Sequence, residues 1–474
     1  MDERAMKGLY TTRPEEALAI LETPYGHASS FLELSDGRIL QNVRGGGFVH
    51  SEDGGLTWTQ PKGGNIRDPI IGEWWVQYRD TKGNPVGGGG TALVKLSGKN
   101  SIGLTSVLFE ADASQSYAQT PTQLGFQVWR SDDNGETWSE PVRMTAPGCN
   151  TGGYLDNFLR TSSGRIVLPV FHHFFGQGTW ENRPKMLHGR LYNNQFVNNG
   201  GHYFDPAFGA PYVLYSDDDG RTWKRNKDGE LTVLMDWNAM FSIANEGSVT
   251  EVAPGRLLLM MRTQLGRLFQ AWSNDNGETW TKPQPTILAS STCPCQIRTL
   301  PNGHLLCVWN QENEDEVRRG YNRTRVSTAI SRDGGRVWEF FQNLGSAHPT
   351  TRVEPGPIRL ARPEELYSPA GHGAVARDPL YVEDHVTTWR GAYPCCLVMK
   401  DRVLITHTST HFEEHPTEAR MINLQSNKPR HADPSRPALG LNQRLFVLPL
   451  SWFYGGKQPA DNPFLKTAYE PAKP

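Results

Sequence analysis

Residues 245–280 read NEGSVTEVAPGRLLLMMRTQLGRLFQAWSNDNGETW. Three apolar runs, SVTEV, RLLLMM and LFQAW, have strand length and are separated by Pro254-Gly255 and Leu265-Gly266. The third ends in a polar turn, Ser273 to Gly277, closed by Trp280. In such a meander the start of one strand and the end of the next share an edge of the sheet. Glu246 and Arg262, sixteen residues apart, are therefore expected side by side at one rim.

The closing turn, Ser-x-Asp-x-Gly-x-x-Trp, occurs five times: Ser51-Asp53-Gly55-Trp58, Ser131-Asp133-Gly135-Trp138, Ser216-Asp218-Gly220-Trp223, Ser273-Asp275-Gly277-Trp280 and Ser331-Asp333-Gly335-Trp338. Asp bonds backbone amides within a tight turn, Gly permits positive φ, and Trp covers the turn with apolar area. These boxes read as surface staples without catalytic residues. A second signature, the hairpin between first and second strands, recurs six times, at Gly37, Gly98, Gly164, Gly255, Gly303 and Asp401. Six hairpins and five boxes imply an all-β chain of six four-stranded antiparallel blades, the last without a box. Radial closure of such blades gives a six-bladed β-propeller. Residues 1–474 are expected to form one domain, with a core of about 25–410 and with 411–474 closing or capping it.

Composition agrees with that architecture: 48 Gly, 33 Pro and 14 Trp in 474 residues, with little helical periodicity. A net charge of −2 supplies no bulk field for nucleic acid. No apolar run of membrane-spanning length occurs, and no membrane partner is expected. The N-terminus, MDERAMKGLY, has no apolar signal core, so the chain reads as cytoplasmic or as already trimmed of a signal. Of the six cysteines, Cys293, Cys295, Cys395 and Cys396 open the inner strands of blades five and six. No histidine spacing accompanies them, so they read as small, reduced core residues; no metal and no cofactor is expected.

The hairpins act as a ruler. Inner strands begin eight to ten residues before the hairpin glycine, and second strands end about seven after it. Both places should face the central mouth. There the ruler puts His27 and Arg44 of blade one, Asp156 and His172 of blade three, and Glu246 and Arg262 of blade four. It also puts Asn310 of blade five there, with Tyr393 and His407 of blade six. Core packing does not call for such a ring, because an unpaired buried charge is costly. Cations with interspersed acids suit a pocket for a small anionic substrate, a salt-bridged wet channel being the plainer alternative.

The boxes, the blade count and the Glu246/Arg262 pair together resemble the sialidase superfamily of propeller glycosidases, over residues 25–410. In that family an inner-strand Glu is followed in the same blade by one arginine of a carboxylate-binding triad, matching Glu246 and Arg262. A further triad arginine precedes the strand into the fifth box, here Arg323, or alternatively Arg325. The family's nucleophilic tyrosine opens the last blade's inner strand, where Tyr393-Pro394 stands. The resemblance implies an exo-acting hydrolase that removes a terminal acidic sugar, sialic acid or a relative. An anionic nucleophile is repelled by the sialoside carboxylate, whereas tyrosine is neutral until deprotonated. Glu246 would take the Tyr393 proton while Arg262 and Arg323 held the carboxylate. Nearby arginines are expected to favour the phenolate.

Two departures stand out. His27 occupies the position of the family's first arginine, leaving Arg44 to supply that charge from the neighbouring strand end. The family's acid/base Asp lies in a first-blade loop that is here only Gly45-Gly46-Gly47. Asp68, Asp156, His27 and His172 are the alternative proton donors. These departures keep two further readings open: a propeller enzyme with another substrate or mechanism, such as a different glycosidase or a polysaccharide lyase, and a carbohydrate-binding propeller without turnover. Insertions at 59–89, 107–124, 174–210 and 345–391 carry Trp74, Trp75, Phe174, Phe175 and Trp180, which suit sugar stacking and loop packing equally.

Overall fold

The computed structural model describes residues 16–23, 28–43, 47–59, 66–67, 74–75, 78–79, 85–86, 90–109, 124–146, 151–154, 156–175, 189–192, 195–198, 207–233, 244–263, 267–290, 293–311, 323, 325–346, 387–413 and 443–455. Six antiparallel sheets form the blades of a propeller. Blade one contributes Ala28–Glu33, Ile39–Val43 and Gly47–Ser51. Blade two contributes Gly90–Lys95, Ile102–Phe109, Leu124–Ser131 and Val142–Arg143. In blade three the inner strand is split into Thr151–Gly153 and Leu159–Arg160, followed by Ile166–Phe175, Ala207–Ser216 and Lys224–Arg225. Blade four consists of Ala244–Ala253, Arg256–Thr263, Arg267–Ser273 and Gln284–Ala289. Blade five consists of Gln296–Thr299, Leu305–Trp309, Arg325–Ser331 and Glu339–Ser346.

Blade six closes the ring. Thr387–Val398, Arg402–Glu413 and Gln443–Pro449 are followed outward by Ala19–Thr23 from the start of the chain, Ala19 lying opposite Val447. Joining early and late segments in one sheet explains how this blade is held without a box. A 3-10 helix at Leu450–Tyr454 follows, its three aromatic residues buried against blades five and six. Among the described residues there is no α-helix.

The packing explains why RLLLMM is continuously apolar when strands with one wet face alternate. Each blade is sandwiched between two others, so both faces are dry. Leu257, Leu259 and Met261 pack with Val167, Val213 and Tyr215 of blade three. Leu258 and Met260 face the other way, onto Ile297, Leu305 and Cys307 of blade five.

The boxes are seams between blades as well as turn staples. Within each, the glycine N–H donates to the serine hydroxyl at 2.7–2.8 Å, and the serine donates to the Asp. The glycine then abuts the preceding blade. A methyl group at Gly55 would lie 2.5 Å from Leu404 of blade six, and one at Gly335 would lie 2.6 Å from Leu258 of blade four. Both glycines also have φ above 90°.

Boxes and hairpins occupy one face of the ring, and inner-strand starts occupy the other. The insertions contribute two-stranded pairs, 66–67 with 74–75, 78–79 with 85–86, and Gly189–Tyr192 with Gln195–Asn198.

Candidate active site

Among the described residues, eight other than glycine have positive φ; Glu246, Arg323 and Tyr393, at 30°, 61° and 54°, lie at the mouth, and Asp156, at 55°, lies in a buried turn beneath it. Two occupy breaks in strand register. The ladder of blade four skips from Asn245 to Gly247, and that of blade six from Ala392 to Cys395. A bulge turns the extra residue out of the alternating pattern and re-aims its side chain. Here it carries Glu246 and Tyr393 out of the interblade core.

Those side chains meet. Arg262 donates through Nη1 to Glu246 Oε2, and the same nitrogen lies 3.4 Å from the Tyr393 hydroxyl. The Arg323 guanidinium sits 5.2 Å from the centre of the Tyr393 ring. Its carbonyl accepts from the Gly391 N–H at 2.9 Å, tying the arginine to the tyrosine's strand. The Arg262 side chain is 5% exposed and that of Glu246 14%, so the pair is largely shielded from solvent. Arg325, the alternative to Arg323, is fully buried and donates to the Gln311 carbonyl. Cys293 was not singled out for the mouth, although it stands ten residues before Gly303, the ruler position of His27 relative to Gly37. Its thiol is acted on by Arg323, Arg262, Glu246 and the Tyr393 amide, and burial pushes its pKa up.

Burial outweighs the pull of Arg262 and Arg323, which favour the Tyr393 phenolate as expected. Its pKa lies above the ordinary phenol value because burial disfavours the phenolate. Glu246 adds to the rise, and together these outweigh the opposing pull of Arg262 and Arg323. At neutral pH the group is a neutral phenol.

Asp156 sits elsewhere. It is 4% exposed, and both carboxylate oxygens are taken. Ser30 donates to Oδ1 at 2.6 Å, while Arg298 and the Cys396 N–H donate to Oδ2 at 2.8 and 2.9 Å. Burial raises its pKa against all three partners. His172 stacks on Tyr212 with ring centres 4.2 Å apart, and its Nε2 is 3.6 Å from Glu230. Both neighbours belong to blade three. Burial, then Arg225, lowers its pKa. His407, also placed at the rim by the ruler, is buried against Phe446. Asn310 is buried and bridges the carbonyls of Arg325 and Gly391. His27, Arg44 and Asp68 lie outside the described residues. So does Trp180; for Trp74, Trp75, Phe174 and Phe175 only the backbone is described.

Cys293, Cys295, Cys307, Cys395 and Cys396 are buried, and among the described residues no cluster of His, Cys, Asp and Glu could hold a metal ion. A groove of about 400 Å³ between Arg160, Arg165 and Asp217 to Asp219 lies on the box face. Its charges neutralise one another, with Arg160 on Asp219 and Arg165 on Asp217, so it offers little to a ligand.

Residues 105–405 match the BNR repeat-like domain family. A curated sialidase of Bacteroides fragilis is 24% identical over 353 residues, which cover 70% of this chain and 53% of that protein. The chain thus spans about half the length of that relative. Among solved structures, a Hadza microbial sialidase aligns with a TM-score of 0.51 at 16% identity, covering 92% of this chain and 67% of that one. A Trypanosoma rangeli sialidase, in complex with 2,3-difluorosialic acid as a covalent intermediate, aligns at 0.50 and 13%, covering 92% and 55%. At these identities the likeness is one of fold.

Proposed function

The chain belongs to the BNR repeat-like domain family, and on that premise we propose that it is an exo-acting glycoside hydrolase for a terminal acidic sugar, sialic acid or a relative. One observation carries the reading: Glu246, Arg262, Arg323 and Tyr393 converge from blades four, five and six at the mouth. Neither a binding module nor a structural channel requires a carboxylate and a phenol on bulges beside two guanidinium groups. Arg262 and Arg323 hold the substrate carboxylate. Tyr393 oxygen attacks the anomeric carbon and forms a glycosyl-tyrosine as the glycosidic C–O bond breaks. Glu246 takes the phenol proton. Water then cleaves the glycosyl-tyrosine and restores the phenol.

Because Tyr393 rests as a neutral phenol, the base is indispensable. In the resting site Arg262 stands between Glu246 and the phenol. A substrate carboxylate that draws Arg262 to itself leaves Glu246 free to face the hydroxyl. The leaving oxygen also needs a proton. With Asp156 and His172 engaged elsewhere, we assign that role to His27 or Asp68.

A second reading, a sialidase-like propeller with another substrate or mechanism, is favoured by the first-blade loop Gly45-Gly46-Gly47, which has no carboxylate. A panel of chromogenic sialosides, uronides and neutral glycosides separates the two. Release from sialosides alone supports the first reading, and release from another sugar supports the second. If no glycoside reacts, both hydrolase readings fail.

A further inference from the structure

We propose that Tyr154, Asp156 and Asn157 of blade three are positioning residues that hold the two bulges carrying Tyr393 and Glu246 in their working geometry. The proposal rests on the roles given above to those two side chains. In blade six the ladder skips Tyr393 and Pro394, so strand pairing does not hold their backbone. Pro394 has no N–H to offer. A tyrosine at φ 54° is strained and persists only where its surroundings enforce it.

Two side chains supply that enforcement across the axis. The Tyr154 hydroxyl donates to the Pro394 carbonyl at 2.5 Å, and the Cys396 N–H donates to Asp156 Oδ2 at 2.9 Å. The Tyr154 ring also lies against that of Tyr393, centroids 5.9 Å apart. Next along the chain, the Asn157 amide donates to the Gly247 carbonyl at 3.4 Å, one residue beyond Glu246.

The turn is itself anchored. Ser30 donates to Asp156 and accepts from the Leu93 N–H at 2.8 Å, which brings in blades one and two. Arg298 of blade five donates to the carboxylate of Asp156 and also to its carbonyl. All six blades are thus referred to one buried turn beneath the mouth. Asp156, a candidate proton donor by sequence, acts in this account through the backbone of another residue.

The test uses Tyr154→Phe and Asp156→Asn in the full chain. Rates are measured on the glycoside that the panel identifies. Tyrosine labelled with 13C at Cζ reports on Tyr393, its resonance assigned by its loss in Tyr393→Phe. The expected result is a kcat reduced about 10- to 100-fold with KM nearly unchanged, as for a misplacement of about 1 Å, and a Tyr393 resonance that shifts or broadens. An unmoved resonance in the folded variants overturns the proposal, whatever the rate. A displaced resonance with wild-type kcat overturns it equally. Should Asp156→Asn fail to fold, Tyr154→Phe, which removes one oxygen, carries the test alone. If Tyr393→Phe keeps full activity, the nucleophile assignment falls. The resonance then still decides whether the turn holds that residue.

Discussion

At the scale of single residues, the mouth is built from strained positions. Glu246 and Tyr393 each sit on a bulge at positive φ, which places a polar side chain where alternation would place a core one. The strain explains both what the sequence reveals and what it hides. Counting from the hairpins finds Glu246, Arg262 and Tyr393, because hairpins repeat and strand lengths are nearly constant, whereas Arg323 comes only from the family resemblance. The count alone cannot separate Asp156 or His172 from them. Whether a rim residue faces the axis or a seam depends on a local bulge, and no residue pattern announces one. Tyr154 and Arg298 were missed for a related reason: their partners lie 240 and 142 residues away along the chain. A prediction belongs here. Arg262→Lys keeps the charge but loses the planar fork that grips a carboxylate in two places. We expect kcat/KM to fall about 10- to 100-fold, the worth of a charged hydrogen bond. A steady-state measurement that finds wild-type kcat/KM for the lysine variant would remove Arg262 from the carboxylate site.

At the scale of elements, the boxes were legible as turns but not as seams, since the sequence does not say which neighbour a box glycine touches. They also contain an internal comparison. In four boxes a threonine hydroxyl donates to the Asp at 2.5–2.6 Å. The fifth has Val337 there, without a hydroxyl and 52% exposed. Val337→Thr should restore the bond and raise stability by about 1 kcal/mol, read as a higher urea midpoint. An unchanged or lower midpoint would show that the fifth turn differs in backbone. Two hairpin and strand histidines set the acid response. Burial holds His304 and His407 at a pKa of about 4. An unfolded histidine titrates near 6.5. Their contribution is therefore intact above about pH 6.5 and is lost as the pH falls toward 4, by up to about 1.4 kcal/mol per pH unit for each. Below that, box residues Asp53 and Asp218, where burial raises the pKa but hydrogen bonds from the box threonine, serine and backbone amides together hold it at about 2, lose theirs between about 4 and 2. Melting temperatures of wild type and His407→Gln should coincide in slope above pH 6.5 and diverge below it, with the variant shallower. Parallel curves throughout would contradict the assignment.

At the scale of the whole molecule, function depends on closure. Blades four and six can present Glu246 and Tyr393 to one point only if the ring is complete, and the ring is completed by pairing Ala19–Thr23 with Gln443–Pro449. Deleting residues 1–23 leaves the strand 443–449 as an open edge. The truncated protein should melt lower and lose turnover together, measured by calorimetry and by assay. Full activity after truncation would show that the sixth blade closes without its outer strand. Repeat number and closure were readable because hairpins and boxes are local signals; the partnership across the mouth is not local and appears only when six blades are assembled. The central claim concerns that partnership. Its most direct test is to incubate the protein with 2,3-difluorosialic acid, quench with acid and map the adduct by peptide mass spectrometry. The account predicts one sugar on Tyr393 in the wild type, none in Tyr393→Phe, and slow labelling in Glu246→Gln. An adduct on any other residue, or glycoside turnover by Tyr393→Phe at the wild-type rate, would contradict it.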